Sequence, residues 1–260
     1  MTKKIFFKLI GLELLLIFFY VINGAYVSIQ QPSSPFFQFA LLVPLSLGLF
    51  VYIAVKKKWH QYFFLTFNKS DILLVSPLIF VLCIILFGTK GLNTESFSNF
   101  IVMLIMQLFV VAFIEETVFR GIMLRMLVGK GPLTAVWVSS LLFSITHALQ
   151  LLGGQSLEGT VIQIIYALLV GLVLTLLILN GQSIILTILF HGLNNFFNFM
   201  GKRRKPFVIC IYYYNCTFYL YATIMEACEE KNSHPIVCSL DARSFDKKTW
   251  HLFVRYDIIF

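Results

Sequence analysis

The chain has 260 residues, of which 59% are hydrophobic and 12% charged, with a formal net charge of +8. Soluble domains carry about 25% charged residues, so this composition excludes a soluble globule, and several apolar runs reach the roughly 20 residues that cross a bilayer. It predicts an all-α, polytopic transmembrane bundle of about seven to eight helices in the cell membrane. No soluble basic module is visible, which argues against a nucleic-acid partner.

Taken in chain order, the predicted spans are residues 6–26, 36–55, 71–88, 99–125, 132–152, 159–179 and 182–200. The first could stand alone as a cleaved secretory signal, but further spans follow it, and a signal-anchor helix explains its basic start equally well. QQPSSP, GKGP and NGQS read as turns between spans. Pro132 suits the first turn of a helix, where its missing N–H is no loss. Lys3, Lys4 and Lys8 open the chain. Lys56, Lys57, Lys58 and Lys69 lie between the second and third spans, and Arg120, Arg125 and Lys130 lie towards the fourth-to-fifth turn. The alternate loops hold only Lys90 among basic residues. Basic loops face the cytoplasm, so the N-terminus is expected there, with the inner end of the fourth span.

Residues 1–200 read as one transmembrane domain. The tail, 201–260, departs from it. It holds four of the five cysteines, a possible extra span at 207–225, and then neither membrane pattern nor helical period. It reads as foreign to the rest, or as an irregular cytoplasmic tail. The cysteines show no metal-ligand spacing and no disulfide framework.

Ionisable groups inside the membrane are the functional candidates: Glu115, Glu116, His147, His191 and Glu13, joined by Asn194, Asn195 and Asn198. Glu115 lies about 15 residues before the turn at Lys130, and His147 about 17 after it. At ~1.5 Å per residue, both sit at one level of a helical hairpin. His191 lies nearer its own turn at Gly181, and a protruding fourth-to-fifth hairpin would close the gap. Glu116 and Arg120 are four apart and can pair, which frees Glu115. Phe143 shares a face with His147, beside Ser140 and Ser144. His191 shares one with Asn195, continued by Asn198. These stripes read as the lining of a hydrated cavity. The plainer readings are packing histidines, interhelical amide bonds and a structural Glu–Arg clasp, with Glu13 snorkelling or packing.

A glutamate beside histidines can hold a water and take its proton. A second histidine and an asparagine can donate to a developing oxyanion. That equipment suits amide hydrolysis. G-x-S-x-G is absent and no cysteine lies near the histidines, so a water nucleophile is favoured. Two His and a Glu are also zinc-ligand types, so the cofactor expectation is none or zinc, the zinc set being Glu115, His147 and His191. A proton-coupled transporter would also use such groups, but neither repeat symmetry nor broken helices is visible.

Three motifs, EETVFR at 115–120, FSITH at 143–147 and HGLNN at 191–195, resemble the EExxxR, FxxxH and HxxxN motifs of the CPBP intramembrane proteases, the CAAX-protease, bacteriocin-processing or Abi family. The resemblance covers residues 99–200. It implies an intramembrane endopeptidase acting on a peptide or membrane-protein substrate in the lipid bilayer. It makes Glu115 the water-activating base, with His147 holding the water. His191 and Asn195 become the oxyanion pair, and Glu116 and Arg120 the site organisers. It leaves metal dependence open. It further suggests bacteriocin processing or self-immunity, a non-enzymatic immunity or partner-binding role being the alternative.

Overall fold

The computed structural model describes residues 3–66 and 72–202. The tail beyond Lys202, with its expected span at 207–225, lies outside them. Among the described residues every regular element is helical: α1 (Lys3–Gln30), α2 (Pro35–Val55), α3 (Ile72–Gly88), α4 (Phe97–Lys130), α5 (Pro132–Leu151), α6 (Leu157–Leu179) and α7 (Ile184–Met200). Of these, α1, α2, α4, α5 and α6 are long and apolar enough to cross a membrane. The chain is a multi-pass membrane protein. The helices α3 and α7 follow the remaining expected spans but are shorter, at 17 residues each.

Helix starts follow local chemistry. The Ser96, Ser156 and Ser183 side chains accept the backbone N–H of Asn99, Gly159 and Ile185, satisfying donors that a first turn leaves open. Gly131 turns the chain from α4 into α5 at φ +100°, a backbone state that side chains disfavour. Pro132 then begins α5.

One feature is invisible to hydropathy. Within α4, Met106–Ala112 and Thr117–Met123 are π-helical and flank the α-helical Phe113–Glu116. Such wider turns concentrate at functional sites, and here they bracket the glutamate pair.

The core gathers around α4. Phe119, Met123, Leu124 and Leu127 are fully buried, with Ala135 of α5 and Ile178 of α6. Two glycines set the helix spacing. A Cβ on Gly171 of α6 would lie 3.1 Å from the Ser140 Cβ of α5 and 3.3 Å from Arg120 Nη2. On Gly192 of α7 it would lie 2.5 Å from Leu108 Cδ2 and 3.0 Å from the Leu108 Cα of α4. The second contact is with backbone, and α4 cannot retreat without disturbing the core. Gly192→Ala should therefore cost on the order of 1–3 kcal/mol, the usual range for overpacking, read as a lower melting temperature in detergent.

The start of α7 meets the middle of α4. The Ile184 amide donates to the Phe63 carbonyl, and Gly121 faces both Tyr62 and Ile184. The turn at Gly181 is thus level with about Gly121 rather than Lys130. The α4–α5 hairpin protrudes beyond it, and this offset brings His191 down to the glutamates.

Candidate active site

The α-helical turn Phe113–Glu116 presents adjacent carboxylates in different directions. Glu116 is fully buried. Its Oε1 accepts from Arg120 Nη1 at 3.0 Å, and it lies 2.8 Å from His191 Nδ1. It is therefore more than an arginine clasp, because it also orients a histidine on another helix. With Nδ1 engaged by Glu116, Nε2 is the nitrogen left to face the site.

Glu115 is 8% exposed. Its Oε2 lies 3.6 Å from His191 Nε2. Its Oε1 accepts from Tyr20 Oη of α1 at 2.7 Å. The tyrosine is absent from the sequence reading. Its signal is a seam on α1, where Leu9, Glu13, Leu16, Tyr20 and Asn23 recur at alternating intervals of four and three. Leu9, Leu16 and Asn23 are its buried members. Glu13 belongs to the same seam and packs inward, accepting from Thr146 Oγ1 at 2.9 Å.

Phe143 joins the parts. Its ring meets His147, Phe119 and His191 edge-on, with centroids 5.0, 5.4 and 5.5 Å away. The Arg120 guanidinium lies 4.0 Å over its face, a favourable cation–π geometry. His147 sits where α5 tightens from α-helix into the 3₁₀ stretch His147–Leu151. Its Nδ1 lies 3.0 Å from the Phe143 carbonyl. A carbonyl only accepts, so Nδ1 carries the proton and Nε2 is left as an acceptor.

The asparagines separate. Asn194 is buried and accepts from Tyr166 Oη of α6. Its amide donates to Asn195 Oδ1 at 3.4 Å. Asn195 is half-buried, one helical repeat from His191. Asn198 is exposed and donates to the Asn194 carbonyl, so it does not continue the stripe into the site. Of the serines beside the motif face, Ser140 is buried against Thr175, and Ser144 donates back to the Leu141 carbonyl. Both satisfy their hydroxyls within the helix packing.

The zinc set fares differently. Among the described residues, no three His, Cys, Asp or Glu side chains gather closely enough to hold a metal ion. Glu115, His147 and His191 do not fit a catalytic zinc site, which needs three protein ligands.

Residues 97–197, which span all three motifs, match the family model described as type II CAAX prenyl endopeptidase Rce1-like. Over these residues the chain is similar to the CAAX endopeptidase family. The match begins at α4 and ends within α7, so α1 and its Tyr20 lie outside it. Comparison with curated proteins gave no match, and neither did comparison with solved structures. The family likeness supports a membrane endopeptidase, a hydrolase acting on peptide substrates.

Proposed function

We propose that the chain hydrolyses a peptide bond near the cytoplasmic membrane interface by a water that Glu115 activates. The observation that carries this reading is the division of labour between the two glutamates. Glu116 is committed to Arg120 and His191. Glu115 has one oxygen fixed by Tyr20 and the other turned towards His191 Nε2.

In the proposed reaction, Glu115 Oε2 and His147 Nε2 hold the water between them. Glu115 takes one proton, and the water oxygen attacks the carbonyl carbon. Negative charge moves to the carbonyl oxygen. The Asn195 amide donates to it, and so does the His191 Nε2–H when the ring is doubly protonated and its Nδ1–H is given to Glu116. Collapse breaks the C–N bond, and the proton on Glu115 passes to the leaving amine. In a water-poor site an oxyanion donor is worth roughly 2.7–4 kcal/mol. The N-terminus in this reading is cytoplasmic, which the Lys and Arg distribution supports.

Two measurements test this. Purified protein in lipid nanodiscs would be given a pool of single-span peptides and the products read by mass spectrometry. Asn195→Ala should lower kcat on the order of 10²–10³-fold with KM little changed. Cleavage at the wild-type rate would remove Asn195 from the reaction. Tyr20→Phe deletes one hydrogen bond to a charged group, worth about 1.5–3 kcal/mol. We expect a kcat loss of roughly 10–100-fold and no further loss when it is added to Glu115→Gln. An equal additional loss in that background would mean that Tyr20 only supports the fold.

A further inference from the structure

Away from the glutamates, at the basic end of the bundle, lies a cavity of about 330 Å³. Three cations reach it from three elements: Lys8 from α1, Lys58 from the segment after α2, and Arg125 from α4. Among the described residues no carboxylate lines it, and none pairs with these cations. Lys8 and Arg125 are exposed, so their charges cost little to hold without a partner, yet all three converge on one space.

The cavity has a built polar wall. Lys58 Nζ donates to Tyr52 Oη at 3.1 Å, and the Tyr52 and Tyr62 hydroxyls lie 3.2 Å apart. The two rings stack, and the Lys58 ammonium sits 5.4 and 5.7 Å from their centroids. One lysine is thereby held in place with N–H groups to spare. The apolar part of the lining is formed by Leu12, Ile122 and Met126. Trp59 stands beside Lys58 and packs against Phe50 and Phe64. Trp and Tyr of this kind mark the level of lipid headgroups.

From this arrangement we infer that the cavity binds a phosphate-bearing anion, supplied by the headgroup of an anionic phospholipid. Three cations without a carboxylate select negative charge. Tyrosine hydroxyls and a fixed ammonium donate to phosphate oxygens, while Arg125 can grip two oxygens at once. The volume falls in the range of organic-ligand pockets, about 300–1,000 Å³, more than a bare phosphate fills. The apolar wall suits the glycerol and first acyl carbons. Anionic leaflets attract each nearby Lys or Arg in the same direction. The ligand would join α1, the α2–α3 segment and α4 at one point, without touching the catalytic groups.

The test uses the full chain in a neutral detergent and native mass spectrometry with phosphatidylglycerol, phosphatidylcholine or inorganic phosphate. Wild type should retain phosphatidylglycerol at least tenfold better than phosphatidylcholine. Lys58→Gln with Arg125→Gln should abolish that preference, and Lys58→Arg should keep it. All variants should melt within a few degrees of wild type in phosphatidylcholine, because these side chains are not core. Equal phosphatidylglycerol retention by wild type and the double variant would overturn the proposal, as would equal retention of the two lipids by wild type. Protection by inorganic phosphate alone, with no lipid adduct, would keep the phosphate chemistry and overturn the lipid source.

Discussion

Glu115→Gln should reduce kcat by 10²–10⁴-fold, the range a general base typically contributes, while the protein inserts and melts as wild type does. Glutamine has the size of glutamate and still accepts from Tyr20 through its amide oxygen. It cannot take a proton from water. Substrate binding does not depend on that proton transfer, so KM should change little, the pattern expected when an interaction made only in the transition state is lost. Glu116→Gln should differ. It weakens the hold on both Arg120 and His191, so stability and rate should fall together. Steady-state kinetics in nanodiscs, paired with thermal melts, separates the two. If Glu115→Gln cleaves at the wild-type rate, the water is activated elsewhere and the glutamate roles must be reassigned.

The span pattern was legible because lipid imposes a simple rule: long apolar runs become helices. Lys8, Lys58 and Arg125 were equally legible as one face of the membrane, and they do line one cavity. The motif spacing paired Glu116 with Arg120 across one helical turn. Less was legible wherever a contact joins distant helices. No local spacing shows that Glu116 also reaches His191, 75 residues away. The π-helical turns around Glu115 leave no mark in hydropathy, because they change backbone register and not side-chain type. Asn198 misled because a residue on the right face of α7 can still satisfy itself on its own helix backbone. Tyr20 was available in principle. The seam of α1 alternates by four and three, the spacing of a helix packed along a partner, and three polar residues on it, Glu13, Tyr20 and Asn23, make inward hydrogen bonds. A hydropathy average over the helix hides that seam.

Arg120→Ala should be the most destabilising single change considered. Arg120 is fully buried, 3.0 Å from Glu116 and 4.0 Å over Phe143. Removing it leaves Glu116 buried beside a histidine alone and empties a large volume between α4, α5 and α6. Breaking a buried pair from one side costs on the order of 3–5 kcal/mol, so yield and melting temperature should drop sharply and activity with them. That outcome alone would not distinguish a structural arginine from one that serves the reaction through Glu116 and His191. The double variant Glu116→Gln with Arg120→Met does. It removes both charges while filling most of the space, and replacing both partners of a buried pair is often nearly neutral. Stability should recover towards wild type. Activity should not, because a neutral amide orients His191 more weakly than a carboxylate. Recovery of both stability and kcat would mean that the pair only fills the core. Recovery of neither would mean that the charges themselves hold α4, α5 and α7 together.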